Sequence, residues 1–176
     1  EACGDKWILG CGVPIGACMG IFDACRISCD ASKNWKFKVE KGMAVNDLVS
    51  SIRINCENPS SQNAIINTIF RNHLDGRAFC NDPDVFFLRD IYINYTCEQK
   101  LLHGKINSVC GNVLFVSDNA GDFDDERIDY LKEFFKDKAY KVDFAEYVGE
   151  NDIRLDFIEN GEKKSLVFDL VTGASN

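Results

Sequence analysis

Arg26 and Asp30 stand four residues apart in the stretch CRISCD (25–30), at the end of a short apolar run. On an extended strand that spacing puts both side chains on one face. A guanidinium there can fork onto sugar hydroxyls or a second carboxylate, and a carboxylic acid beside it can give and take a proton. The same residues also serve as a structural ion pair, and a strand-end Asp is a good cap for the turn that follows. Cys11 lies between Gly10 and Gly12 at the end of an earlier apolar run, where the backbone can approach a ligand closely and a small soft side chain fits; an inert buried thiol is the alternative. Two further apolar runs close on carboxylates, Asp82 in RAFCNDPD (77–84) and Asp118 in NVLFVSDN (112–119). Asn81, Asp82 and Asp84 flank Pro83 in a segment that reads mainly as a turn, with Asp82 at the rim of a site.

Other chemistries find less support. The chain has nine cysteines, all within residues 1–110, and an odd number cannot pair completely within one chain. No Cys-x-x-Cys pair occurs, Cys25 and Cys29 have no second pair or suitably spaced histidine, and His73 and His103 stand apart, so no zinc site is expected. The cysteines read as small buried hydrophobes in a reducing cytoplasm. The run SDNAGDFDDE (117–126) lacks the glycine and closing glutamate of a calcium loop. Neither a metal nor a cofactor is expected. The net charge is −8; residues 1–110 carry 12 acidic and 12 basic side chains and residues 111–176 carry 16 and 8. An acidic second half repels phosphate backbones, which argues against nucleic-acid binding. No window is long and apolar enough for a membrane span, and no signal peptide pattern opens the chain.

The elements that position these groups alternate. Strands are expected at 6–12, 25–30, 77–84 and 112–119, and helices at 43–57, 61–74, 97–111 and 124–137. Short apolar strands alternating with helices imply parallel strands and crossover helices, an arrangement in which ligand-facing groups gather at the C-terminal strand ends. Beyond Lys138 the pattern changes to alternation, in KVDFAEYV, IRLDFI and KSLVFDL, with Asn160-Gly161 as a hairpin turn.

The motifs, in their order, resemble the family 36 α-galactosidases and their melibiase-like relatives. The resemblance is carried by Gly10-Cys11-Gly12-Val13-Pro14, Gly20, Asp23, Arg26-Ile27 and Asp30, then by Asn81-Asp82-Pro83-Asp84 with Arg89, and by NVLFVSDN as a last barrel strand. It covers residues 1–137, with a looser likeness in the tail. It implies a (β/α)8 TIM barrel followed by a C-terminal β-sandwich-type domain, and a retaining mechanism with two carboxylates. Asp30 falls at the general acid/base; Cys11 and Arg26 fall at sugar-facing positions, and Trp35 at an aromatic just past the acid/base strand. The family's nucleophile, an Asp in a Lys-x-Asp motif on the fourth barrel strand, has no counterpart before Trp7.

The expected fold is therefore α/β, with about strands five to eight of the barrel in residues 1–137 and antiparallel β-strands, not necessarily complete, in 138–176. The chain reads as a cytoplasmic C-terminal piece of a galactoside hydrolase, inactive alone. The alternative is a non-catalytic half-barrel module, or a degenerate relative that binds carbohydrate or a partner. Unpaired barrel edges would favour self-association.

Overall fold

The computed structural model describes residues 3–38 and 58–176. The helix expected over 43–57 lies outside the described residues, as does Cys56. Three short strands, β1 (Leu9–Gly10), β2 (Ala24–Arg26) and β3 (Cys80–Asp82), form a parallel sheet in that order. Strands β4 (Val85–Phe86) and β5 (Phe115–Val116) form a second parallel pair.

The two sheets meet at Pro83-Asp84. Proline has no N–H to continue a ladder, and Asp84 takes a left-handed backbone with φ +73°, so what would be one strand is broken into β3 and β4. The backbone N–H groups of Asn112 and Val113 both donate to the Asn81 carbonyl, at 3.0 and 3.1 Å. The segment leading into β5 thereby continues the parallel run past β3.

The helices follow their capping signals. Helix α1 (Ile15–Cys18) is a single turn behind Pro14. Helix α2 (Ser61–Phe70) starts at Ser60, whose hydroxyl accepts from the Asn63 N–H, and ends in a 3-10 turn at Asn72–Leu74. Helix α3 (Cys97–Cys110) opens with a capping box: Thr96 accepts from the Gln99 N–H and Gln99 reaches back to the Thr96 N–H. Helix α4 (Asp125–Phe134) is capped by Asp124, with Asp125 and Glu126 in its first turn and Lys132 in its last. The expected strand over 25–30 is shorter than its apolar pattern. After the Ile27 N–H donates to the Asp82 carbonyl at 2.9 Å, the chain leaves the sheet and folds over the β3–β4 break.

The alternating tail forms the antiparallel sheet β6 (Tyr140–Tyr147), β7 (Asp152–Glu159) and β8 (Glu162–Asp169). Its second turn carries Asn160 and Gly161 with φ +52° and +90°, the two positive angles a tight hairpin demands. Every second residue of β7, Ile153, Leu155 and Phe157, faces inward and packs with Ile65 and Ile69 of α2 and Leu102 and Ile106 of α3 in one core. A smaller cluster of Cys18, Cys25, Ile27 and Phe79 sits behind β2, and Phe86, Leu88 and Phe134 close the base of α4. Among the described residues no helix is long and apolar enough to cross a membrane.

Candidate active site at the strand ends

The register of the parallel sheet places the candidate residues side by side. Gly10 pairs with Cys25 and Cys25 with Asn81; in the next row Arg26 pairs with Asp82, and Cys11 follows Gly10 at the same level. Alternation then sends Cys25 to the rear, into its apolar cluster, and Arg26 to the opposite face. Glycine is required at position 10: a Cβ there would lie 2.6 Å from the Phe22 ring.

Arg26 is the hub. Its Nη2 lies 2.9 Å from Asp84 Oδ1, its Nε 3.4 Å from Asp82 Oδ2 and its Nη1 3.5 Å from Asp30 Oδ1. The Asp82 side chain is fully buried, Asp84 nearly so, and Arg26 is 19% exposed, whereas Asp30 is 77% exposed. The cation is therefore anchored from below and offers its remaining edge upward. Burial alone would lower the Arg26 pKa; the charges of Asp84 and Asp82 outweigh it and hold the pKa above its ordinary value. Burial raises the Asp84 pKa, against the opposing pull of the Ala31 and Val85 N–H groups and of Arg26.

Asp30 reaches the cluster from a loop, not from a strand end. Residues 27–32 are held over the β3–β4 break by Ser28 Oγ, which donates to the Pro83 carbonyl at 2.8 Å, and by the Ala31 N–H, which donates to Asp84 Oδ2 at 2.7 Å. Beside Arg26 and Asp30 opens a cleft of about 430 Å3 bounded also by Gly12, Pro14, Ser28 and Arg71. Arg71, at the end of α2, donates through its guanidinium to the Ile27 carbonyl. A larger cleft, about 550 Å3, lies between α3, α4 and β8. Its walls are largely apolar, among them Leu101, Leu102, Phe134 and Leu166, and it lies away from the carboxylate cluster.

Of the residues singled out from sequence, Arg26 meets both Asp30 and Asp82, but Asp82, expected at the rim, is fully buried beneath Arg26. Cys11 is exposed. Trp35 is not brought to the cleft. Its ring is buried in the main core, its Nε1 donates to the Leu170 carbonyl at 2.8 Å, and it stands edge-on to Tyr95. Asp118 accepts from the Leu88 and Arg89 N–H groups and pairs with the Arg89 guanidinium, so it caps the loop after β4. Arg71 and Ser28 were not anticipated: Arg71 is 44 residues from the carbonyl it holds, and no local pattern announces such a contact. Of the described cysteines, Cys18, Cys25 and Cys110 are buried, Cys29 and Cys80 partly so, and Cys3, Cys11 and Cys97 exposed; none of them is in a disulfide. Burial, the hydrogen bond to Cys18 and nearby charge push the Cys25 thiol up to about 12, which keeps it protonated and inert. Among the described residues no group of three or more His, Cys, Asp or Glu side chains could hold a metal ion.

No family profile matches the sequence. Solved structures do match the fold. The α-galactosidase TtGalA from Thermus thermophilus, in complex with p-nitrophenyl α-D-galactopyranoside, superposes with a TM-score of 0.63 at 20% identity, over 97% of this chain and 31% of that one. The chain has the fold of part of an α-galactosidase. The same enzyme in complex with stachyose gives 0.58 at 23% identity over 75% of this chain and 27% of that one. α-Galactosidase I from Mortierella vinacea gives 0.57 at 13% identity over 89% and 40%. The chain thus spans between about a quarter and two fifths of the length of these α-galactosidases.

Proposed function

We propose that this chain is the C-terminal part of a retaining α-galactosidase of the family 36 type, that it contributes part of a (β/α)8 barrel, and that Asp30 is the general acid/base. The observation that carries the proposal is the Arg26–Asp30 contact at the C-terminal strand edge, beside an open cleft. That edge is where parallel α/β folds keep their chemistry. The fold shared with α-galactosidases supports the assignment, two of those structures being complexes with galactosides. Arg26 and Cys11 face the sugar and Asp82 holds Arg26 from below. The exposed Asp30 carboxyl protonates the leaving oxygen and then takes a proton from water. In a retaining enzyme a nucleophilic carboxylate stands about 5–5.5 Å from the acid/base. In this proposal residues preceding this chain supply it, so residues 1–176 alone do not turn over.

The test is hydrolysis of p-nitrophenyl α-D-galactopyranoside by the protein that carries this chain. Asp30→Asn should lower turnover about 10²–10⁴-fold with the fold intact, and NMR should show the α anomer of galactose released first. Wild-type turnover in Asp30→Asn, or a β anomer first, would overturn the assignment. Sugar binding without any turnover by the parent protein would favour the non-catalytic module.

A further inference from the structure

We infer that Asp84 is a positioning residue, which ties the Arg26 guanidinium and the backbone of the Asp30 loop to one carboxylate. The inference rests on the reading of Asp30 and Arg26 as functional partners, and it explains how a loop residue is held at a fixed distance from a strand residue. Each Asp84 oxygen has a separate task. Oδ1 lies 2.9 Å from Arg26 Nη2, and Oδ2 accepts from the Ala31 N–H at 2.7 Å, one residue past Asp30.

The position itself is held from three sides. The Asp84 N–H donates to Asp82 Oδ1 at 2.8 Å, the Asp84 carbonyl accepts from Asn107 Nδ2 of α3 at 3.0 Å, and Ser28 bonds the preceding Pro83 carbonyl. Asn107 is fully buried, so α3 fixes the corner from inside. The left-handed backbone at Asp84, φ +73°, aims the side chain back across the break; Asp and Asn accept that conformation more readily than most residues. The Asp84 side chain makes two contacts, and both lead to the two groups that would meet substrate.

Only a carboxylate can accept on both oxygens at once; an amide offers one acceptor and one donor. Asp84→Asn should therefore keep one tie and lose the other, and Asp84→Ala should lose both. The test is hydrogen exchange and 15N NMR on residues 1–176, reading the Ala31 amide, the Arg26 Nη–H groups and, as a control, the amides of Ile153 and Leu155 in β7. In Asp84→Ala, exchange at Ala31 and at the Arg26 Nη–H groups should speed up about ten- to a hundredfold, the loss of one hydrogen bond to a charged acceptor each, with β7 unchanged. In Asp84→Asn only one of the two should change. Unchanged exchange at both sites in either folded variant would overturn the inference. So would collapse of β7 protection in Asp84→Asn, since a nearly isosteric change that unfolds the chain marks a general stability role. Neither readout depends on hydrolysis, so failure of the galactosidase reading is told apart from failure of this one. If the parent protein hydrolyses the aryl galactoside, Asp84→Asn should lower kcat more than it raises KM.

Discussion

Asp30 and Asp84 carry the same side chain to the same guanidinium in opposite settings. One is open to solvent and the other is enclosed by backbone N–H groups and Arg26. The four-residue spacing of Arg26 and Asp30 pointed to one face of an extended strand; the strand instead ends at Arg26, and the loop returns Asp30 to it. Asp84 read as turn architecture because a left-handed backbone and a contact 53 residues away leave no local trace. A third carboxylate, Glu159 at the end of β7, supports a pH prediction. It pairs with Lys164, Lys138 at 3.2 Å and more distantly Lys105, and accepts from the Tyr140 hydroxyl at 2.9 Å. The bond from Lys164 leads the causes that, against some burial, hold its pKa at about 2, below the ordinary 4.5. A carboxylate depressed in the folded state stabilises fully above its unfolded pKa and loses that stability as pH falls. Thermal stability should therefore drop as pH falls from about 5 toward 2, and Glu159→Gln should flatten that part of the profile. A Gln variant as pH-sensitive as the wild type would show that other carboxylates govern acid unfolding.

At the scale of elements, helices were the most legible, since caps and charge at the ends are local signals. Ser60, Thr96 with Gln99, and Asp124 cap the three longer described helices, whose bounds fall within a few residues of the expected ends. Strands β1, β2, β3 and β5 were legible in place but not in length, and β4 was not expected, because pairing starts and stops where Pro83, Gly12 and the crossing loops dictate, and those interruptions are tertiary. Helix packing adds a constraint that helix propensity would misjudge. Gly104 lies in the middle of α3, where alanine is ordinarily worth up to about 1 kcal/mol more than glycine. A Cβ there would sit 2.4 Å from the Phe134 ring of α4. Gly104→Ala should thus destabilise by about 1–3 kcal/mol through overpacking, seen as a lower urea midpoint. A raised midpoint would mean that Phe134 swings aside without cost.

The whole molecule is organised by a core that crosses the expected boundary near residue 137. Trp35, α2 and α3 from the first part share it with β7 and β8 from the second, and the C-terminal segment is fastened further by Trp35 Nε1 to Leu170 and by Gln99 Nε2 to the Val171 carbonyl at 2.7 Å. Alternation in the tail announced a one-sided sheet, and that side had to find an apolar partner; which helices would provide it was beyond any local pattern. A sheet that covers α2 also supports the loop that α2 anchors, because Ser61 Oγ donates to the Ser32 carbonyl at 3.1 Å and Arg71 holds Ile27. Damage to the sheet should accordingly reach the helices. Leu155 is fully buried at the centre of β7, and Leu155→Ala should cost about 2–5 kcal/mol, lowering the midpoint by roughly 5–15 °C for a chain of this size. Far-ultraviolet dichroism, which reports the helices, and near-ultraviolet dichroism of Trp35, which reports the junction, should shift together in one transition. Helices that survive after the Trp35 signal is lost would show that the tail is an independent unit and that the shared core does not couple them.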